Sequence, residues 1–563
     1  MVRRMQTRRQ AILGALTLVL ASRAARAGGR RPADELDIGI SQYPGTFHPM
    51  VDPSVAASYV LGMARRPLTV FDAKWQVVAM LCTEVPTIEN GRAVPFDLPD
   101  GKRGIRLTLS LHPGARWGDG VPVTTKDVLF TNEVGKNPLS GIADADLFRR
   151  IISIDVKDDK TFTVTLNKLT YDYSASLADF EVLPAHLERA AFSDPAQYHN
   201  RTLYDSDPAN PGLYFGPYRI TEVEAGSHIV LERNPTWWGK APAFRRIVIW
   251  TIENSAALEA NLLAGGIDMV AGEIGFTLDQ ALAFQKHHGD EYDITYKPTL
   301  IYSHIDCNLD HPILADQRVR QALMYGIDRE AISQQLYDGR QIVADSFVPP
   351  LDWVYSKEVP HYAYDPAKAR VLLEAAGWHA GGDTMRRNAA GHRLALDLSM
   401  GAGNHGLDLV AQVFQSQWRE IGIEVHIKAE TPRTLFGETM RNRKFDLAFY
   451  AWVSAPENDP LTTLRSDQVP SQANGFSGQN YPGFRDPEAD RLVNAIEIEL
   501  ERPRRAEEWH ELQALYAEQL PALPLFFRSN PFILPKWLKG VTPTGHQYPS
   551  TLWVEDWYVE ARS

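Results

Sequence analysis

The chain has 563 residues, 44% of them hydrophobic, and a formal net charge of −12 at pH 7. This length exceeds what one hydrophobic core supports, so we expect two or three sub-domains. An acidic surface repels nucleic acids and anionic lipids, which argues against both as partners. Beyond the first 27 residues, no stretch is apolar and long enough to span a membrane.

The first 27 residues have the pattern of an export signal. Four arginines stand within residues 3–9, an apolar run covers 11–21, and Ala-Arg-Ala at 25–27 fits a cleavage site. The apolar run is too short to remain as an anchor. Thr-Arg-Arg at 7–9 favours the twin-arginine route, which exports folded proteins, and the general secretory route is the alternative.

Removal of this signal predicts a periplasmic protein without a membrane anchor. The six positive charges that are lost take the net charge from −12 to −18. No cysteine stands at the cleavage site, so a lipid anchor is not expected. The two cysteines, Cys82 and Cys307, are too few for a disulfide scaffold. A single disulfide and two buried free thiols both remain open.

Strand and helix patterns alternate along the first half of the chain. Alternating apolar residues predict strands at 105–111 and 161–166, and a capping box at 124–127 predicts the start of a helix between them. An apolar strand is predicted at 247–252. A helix is predicted at 256–264, where two glycines end it.

The second half has equally clear helix starts. Asp328, Asp365 and Asp486 are predicted N-caps, and proline follows the last two. Mixed strands and helices over this length predict an α/β protein. Two stretches, 204–217 and 456–483, are rich in proline and glycine. The second stretch also carries aromatic residues, which favours a functional loop over a plain surface loop.

Enzyme signatures are weak in this chain. Residues 401–406 fit the dinucleotide pattern G-x-G-x-x-G, but an exported protein meets little of that cofactor, and the expected N-terminal βαβ unit is missing. No nucleophile elbow, zinc-protease or Walker motif is present. We therefore predict no enzyme activity, no cofactor and no metal site. The alternative is a periplasmic hydrolase that uses Glu457 and Asp459 as an acid/base pair.

Seven segments resemble, in the same order, the extracellular solute-binding proteins of family 5, the dipeptide, oligopeptide and nickel group that serves ABC importers. One segment resembles the group's motif of a strand, a D-G turn and a capped helix, and another matches its G-P-Y … R-N-P-x-W-W pattern; the seven together, in register, carry the resemblance. The resemblance covers the chain from residue 36 to its end. The seven segments are 109–131, 216–239, 318–337, 364–378, 421–430, 445–452 and 481–492.

This resemblance implies a bilobed periplasmic-binding-protein fold of class II, the large type with three sub-domains and a two-stranded hinge. Lobe I carries the extra sub-domain, and the chain crosses the hinge twice. The implied boundaries are 34–297 plus 526–563 for lobe I, about 71–212 for its extra sub-domain, 298–525 for lobe II, and crossings at Lys297-Pro298 and Pro524-Leu525.

The resemblance also implies a transport receptor. The monomeric receptor would enclose its ligand, most simply a short peptide, by hinge closure and deliver it to an inner-membrane permease. No bond in the ligand would be made or broken. Ala455 stands where peptide-binding members have an aspartate for the peptide amino group. Glu457 or Asp459 could replace that charge, and a non-peptide solute, sugar-like or a metal chelate, is the alternative.

The same resemblance, together with residue chemistry, suggests which side chains hold the ligand. Aromatic groups supply contact area and polar groups fix orientation. For Trp452 and His48 a purely structural role is the alternative. The candidates are Tyr43, Thr46, Phe47 and His48 from lobe I, and Tyr450, Trp452, Ser454, Glu457, Asp459, Asn480 and Tyr481 from lobe II.

Overall fold

The structure is a computed structural model, and it describes residues 34–143, 145–474 and 476–560. The predicted signal peptide, residues 1–27, lies outside the described residues. The secondary structure mixes strands and helices throughout, in agreement with the predicted α/β class.

The described residues form twenty-one strands, eleven of which belong to one large mixed sheet. The strands are β1 (Glu35–Ile40), β2 (Thr69–Phe71), β3 (Val77–Ala79), β4 (Ala93–Asp97), β5 (Arg103–Ser110), β6 (Ile151–Val156), β7 (Thr161–Leu166), β8 (Tyr218–Glu224), β9 (His228–Arg233), β10 (Arg246–Thr251), β11 (Met269–Val270), β12 (Tyr292–Cys307), β13 (Ile342–Val343), β14 (His379–Ala380), β15 (Arg386–Arg387), β16 (Ala395–Gly401), β17 (Glu424–Glu430), β18 (Leu447–Val453), β19 (Ala522–Pro535), β20 (Leu538–Lys539) and β21 (Tyr558–Val559).

Helices connect most of these strands. The α-helices in the described part of the chain are Val55–Ala64, Thr125–Lys136, Asp146–Arg150, Ala185–Glu188, Tyr198–Arg201, Leu203–Ser206, Ser255–Leu263, Leu278–His288, Gln317–Tyr325, Arg329–Tyr337, Pro366–Ala375, His405–Glu420, Pro432–Thr434, Leu461–Leu464, Pro487–Ile498 and Arg502–Gln519. A π-helical turn covers Leu435–Met440. Short 3-10 turns cover Ala191–Ser193, Pro195–Gln197, Pro211–Leu213, Ser466–Gln468, Gln472–Asn474 and Ser550–Asp556.

Two long strands join the halves of the large sheet. The strand order is β17-β16-β18-β12-β19-β11-β1-β10-β9-β8, and β13 also pairs with β19. We call the β18 side lobe II and the β11 side lobe I. Antiparallel pairing of β12 with β19 runs through both lobes, with a register shift between Pro298 and Tyr302. Opposite Lys297 and Pro298 lie Asn530 and Ser529.

A separate four-stranded sheet, β4-β5-β7-β6, extends lobe I. It lies within the predicted extra sub-domain. The helix that follows β5 begins with a capping box: Thr124 N–H donates to the Asp127 carboxylate at 2.8 Å, and the Thr124 hydroxyl accepts from the first turn. Asp365 and Asp486 likewise cap helices that have proline at the first position. These three predicted helix starts are confirmed. They could be predicted because a helix cap depends only on neighbouring residues.

The buried apolar side chains form separate clusters in the two lobes. The largest cluster joins the lobe I sheet with the four-stranded sheet and includes Trp117 and Trp557. Another in lobe II includes Phe414 and Trp418, and a third lies around Trp509. Separate cores allow the lobes to move as units about the strands that connect them.

The two cysteines do not pair. Cys82 lies in the lobe I core and Cys307 in the lobe II core, and both are buried free thiols. Burial raises the pKa of Cys307 to about 12, so this thiol stays protonated and behaves as a small apolar group.

A search of the described helices finds none that is both long and apolar enough to cross a membrane.

Candidate functional site

A cavity at the junction of the lobes has a volume of about 650 Å³. Lobe I contributes the start of the helix Val55–Ala64 and the segment before it, including Met50 and Asp52. Lobe II contributes Ala451, Trp452 and Val453, the last residues of β18. We call this space the cleft. Its volume is in the range of sites that enclose a whole small ligand.

The end of β18 presents backbone groups to the cleft. Its partner β16 pairs with it only as far as Phe449, whereas β12 pairs with it through Val453. Within the described sheet, residues 450–453 therefore have a strand on one side only. Along this edge Val453 is 50% exposed, whereas Tyr450 is 5% exposed. An unpaired strand edge can accept an extended chain as an additional strand.

A smaller cavity of about 150 Å³ lies inside lobe II and shares Trp452 and Val453 with the cleft. We call it the side pocket. Its wall contains three carboxylates, five aromatic side chains with polar atoms and one histidine. These are Asp306, Asp352, Asp459, Tyr302, Tyr450, Trp452, Trp509, Tyr516 and His304.

One wall of the side pocket is a hydrogen-bonded network on β12 and β18. Tyr450 Oη donates to Asp306 Oδ2 at 2.6 Å, and His304 Nε2 lies 3.4 Å from Asp306 Oδ1. Tyr302 and Tyr516 share a hydrogen bond of 3.1 Å between their hydroxyl groups. The His304 ring stacks on Tyr302 with centroids 4.7 Å apart. The network holds these side chains in one arrangement.

The opposite wall is formed by two aspartates in loops. Asp352 accepts hydrogen bonds from the backbone N–H of Glu457, at 3.1 Å, and of Val354, at 3.3 Å. Burial raises the pKa of Asp352 to about 6. Asp459 accepts from Leu461 N–H at 3.3 Å, and burial, with the charge of Asp172, raises its pKa to about 6.

The candidate residues of lobe I are mostly committed to contacts within the protein. His48 is fully buried; its Nδ1 accepts from Met50 N–H, so Nε2 donates to Tyr198 Oη at 3.0 Å. Burial, with the charge of Arg65, lowers the His48 pKa to about 3, so the ring is neutral. Phe47 lies in the lobe I core.

The other two residues of this loop also lie beside the cleft and not in its wall. Thr46 donates a hydrogen bond to the Asp205 carboxylate, and Tyr43 meets Phe47 edge-on with ring centroids 6.4 Å apart. The residues that line the cleft from this region are the next ones along the chain, beginning with Pro49 and Met50.

The candidates of lobe II fall into two groups. Tyr450, Trp452, Ser454 and Asp459 all line the side pocket, and Trp452 lines the cleft as well. Tyr481 stacks on Trp452 at 6.3 Å and orients it.

Asn480 and Glu457 line neither the side pocket nor the cleft. The Asn480 amide is fully buried and donates to the carbonyls of Leu464, Arg465 and Phe484, which organises the loop. Glu457 forms an ion pair of 3.2 Å with Arg505 and lines a further cavity of about 520 Å³.

Contacts across the lobes surround that further cavity. The Tyr171 hydroxyl, from lobe I, donates to the backbone carbonyl of Glu457. The backbone N–H of Tyr171 donates to the backbone carbonyl of Glu497 at 3.0 Å. Lys168 pairs with the Glu497 carboxylate. The Arg505 guanidinium lies 4.7 Å from the centre of the Tyr171 ring. In this arrangement the two lobes are in direct contact.

Sequence reasoning missed Tyr302, His304, Asp306 and Asp352. The first three stand at every second position of β12, which places them on one face of the strand. The alternate spacing of these three side chains along the strand was the available signal. Asp352 had none, because a lone acid in a loop is usually solvated.

Residues 101–474 match the profile of the bacterial extracellular solute-binding proteins, family 5 Middle. The chain belongs to this family. It is 25% identical over 528 residues to the oligopeptide-binding protein AppA of Bacillus subtilis, a match that covers 91% of this chain and 90% of AppA. It is 24% identical over 469 residues to the nickel-binding periplasmic protein of Escherichia coli, with 83% and 82% covered.

The fold agrees with that assignment. The oligopeptide-binding protein of Thermus thermophilus, solved with a pentapeptide, superposes with a TM-score of 0.77 at 27% identity, over 94% of this chain and 97% of the other. The predicted bilobed class II fold is confirmed. The protein is therefore a solute-binding transport receptor and not an enzyme, and the dinucleotide pattern at 401–406 is the turn between β16 and the helix His405–Glu420.

The relatives include metal binders, so we searched for a metal site. Within residues 34–143, 145–474 and 476–560, no group of three or more His, Cys, Asp or Glu side chains is arranged to hold an ion. His304 and Asp306 are adjacent at 3.4 Å, but their remaining polar contacts are to tyrosines and backbone.

Proposed function

We propose that this protein is the periplasmic receptor of an ABC importer and that its ligand is a short peptide. The supporting observation is the one-sided end of β18 in a cleft of about 650 Å³. A peptide that lies along residues 450–453 can form main-chain hydrogen bonds independent of its sequence. The peptide-bound relative from Thermus thermophilus supports the same ligand class.

Closure follows from the two strands that join the lobes. We propose that β12 and β19 form the hinge, with its flexible point at the register shift near Pro298. We propose Ser529–Asn530, which pair with Pro298 and Lys297, as the second crossing, several residues beyond the expected Pro524-Leu525. A ligand that contacts both walls of the cleft favours closure because it binds the closed state more tightly.

Export and delivery complete the proposal. We propose that residues 1–27 direct export and are then removed, and that the mature monomer passes its ligand to an inner-membrane permease. Replacing both Arg8 and Arg9 with lysine should retain the protein in the cytoplasm if the twin-arginine route is used. Cell fractionation measures this outcome, and unchanged export would favour the general secretory route.

Backbone recognition can be tested directly with the mature protein. Isothermal titration with di- to pentapeptides identifies a binding length, and the best peptide is then N-methylated at each amide in turn. At least one N-methyl group should weaken binding about tenfold or more, because it removes a donor and blocks the strand edge. A peptide with the extra methyl group on a side chain is the matched control.

Two results would contradict parts of this proposal. If no peptide binds while nickel chelates or sugars do, the transport role remains and the ligand class is replaced. If peptides bind but N-methylation at every position is harmless, recognition does not depend on the β18 edge.

A further inference from the structure

The side pocket adjoins the cleft at Trp452 and Val453 and is too small to be a second site for a whole ligand. Its volume of about 150 Å³ is well below the roughly 300 Å³ at which sites for whole small ligands begin. A cavity of that volume accepts a group about as large as benzene. Because Trp452 and Val453 line both spaces, a ligand along β18 can place one side chain into the pocket.

The charge of the pocket is one-sided. Its wall contains Asp306, Asp352 and Asp459 and no lysine or arginine. Backbone N–H groups and Tyr450 hold these carboxylates, but none of the three forms an ion pair with Lys or Arg among the described residues. The other titratable groups of the wall are His304 and three tyrosines. Only His304 can become a cation, and it lies beside Asp306.

The carboxylates that carry this negative charge are partly or fully buried. Asp306 and Asp352 are 3% and 7% exposed, and burial raises the pKa of both Asp352 and Asp459. Such carboxylates are costly when ionised without a cationic partner.

The remaining walls suit a long cationic side chain. Tyr302, Trp452 and Tyr516 provide aromatic surface for a methylene chain and for cation–π contact. An ammonium or guanidinium group offers several N–H donors to carboxylates at the closed end. A carboxylate ligand would meet three like charges, and an apolar one would leave them unpaired.

We propose that the side pocket receives the cationic end of a lysine or arginine side chain of the bound peptide, so that the receptor selects basic peptides. This inference rests on the proposed function. It predicts a preference that comes from Asp352 and Asp459 and is separate from main-chain recognition along β18.

The test compares lysine with norleucine, a side chain of similar shape that carries no charge. In tetrapeptides of alanine, lysine or norleucine replaces one alanine at each position in turn, and calorimetry gives the affinities. At one position lysine should bind at least about tenfold more tightly than norleucine, which corresponds to about 1.4 kcal/mol. Asp352→Asn and Asp459→Asn should reduce that ratio to below about threefold. Asp97→Asn, at an exposed site on β4, removes the same charge and should leave it unchanged.

The outcomes separate this inference from the proposed function. Tight peptide binding with equal affinities for lysine and norleucine at all positions overturns the inference and leaves the peptide receptor intact. This comparison uses the unmodified protein, so a variant that fails to fold does not affect it. If no peptide binds but n-butylguanidinium raises the melting temperature, and Asp352→Asn removes the shift, the pocket stands without the peptide role. If neither probe binds, the inference is wrong.

Discussion

The two chain segments predicted to line the cleft, 43–48 in lobe I and 450–459 in lobe II, differ in how their side chains are used. In the first, His48 and Phe47 are buried and bound to their own lobe. In the second, Trp452 lines both the cleft and the side pocket, and Asp459 lines the side pocket. The lobe I wall of the cleft is formed instead by residues that the sequence analysis did not name, including Asp52, Arg65 and Glu181.

The largest effect that would test this contrast is a loss of stability when His48 in lobe I is replaced. His48→Leu should lower the free energy of unfolding by about 2–4 kcal/mol, because it removes the buried hydrogen bond to the Tyr198 hydroxyl and the acceptor of the Met50 N–H. Chemical denaturation measures the loss. Peptide affinity of the folded variant should change less than about threefold; a loss larger than tenfold would place His48 in the binding site.

A similar structural loss is expected at Asn480 in lobe II. Asn480→Ala removes donors to three carbonyls and an acceptor for Phe484 N–H, so we expect a cost of about 2–3 kcal/mol in unfolding free energy. Faster proteolysis of the 456–483 loop would report the same loss of order. Gln479→Ala, at the neighbouring position, is the matched control, and equal stability of the two variants would contradict this role.

Trp452→Ala should instead affect binding more than stability. The side chain is half-buried and lines both the cleft and the side pocket. We expect peptide affinity to fall about tenfold or more, with a melting-temperature change of only a few degrees. Calorimetry and a thermal melt separate the two. Global unfolding would favour the alternative, in which Trp452 is a core residue.

The pH dependence of stability should include a contribution from the two aspartates of the side pocket. The pKa values of Asp352 and Asp459 are about 6 in the folded protein and near 4 in an unfolded chain. Their contribution to stability is therefore present below pH 4 and is lost as the pH rises through 6. The free energy of unfolding of the unliganded protein should fall over this range, and Asp352→Asn should reduce the slope.

Binding of a lysine peptide should change in the opposite direction over the same range. Its affinity should rise from pH 5 to 7 as the two carboxylates ionise, whereas the affinity of the norleucine peptide should not. Calorimetry at the two pH values measures both. Parallel pH profiles for the two peptides would contradict the role of these groups.

The smallest effect is expected at the contact between the lobes. Tyr171→Phe removes the hydroxyl that donates to the Glu457 carbonyl but keeps the ring beside Arg505. Closure should become slightly less favourable, and peptide affinity should fall about two- to fivefold. Small-angle scattering with and without peptide reports closure. Tyr173→Phe, two residues along and outside this contact, is the control.

Much of the fold followed from local sequence. The capping box at Thr124, the N-caps at Asp365 and Asp486, and the alternating strand β7 depend on neighbouring residues, and each was found where predicted. The resemblance to family 5, together with residue chemistry, indicated Trp452 and Asp459 as ligand-binding residues. Their place in one cavity with Asp306 did not follow, since that residue lies about 150 positions away.

The sequence by itself determined the α/β class, the family and the order of the elements, because these depend on periodicity, capping and motif spacing. Only the tertiary structure decided that His48 faces its own core, that β18 ends with an open edge, and that Asp306, Asp352 and Asp459 surround one pocket. The physical reason is that burial and charge proximity depend on contacts between distant segments, which β12 and β19 bring together when they join the two lobes.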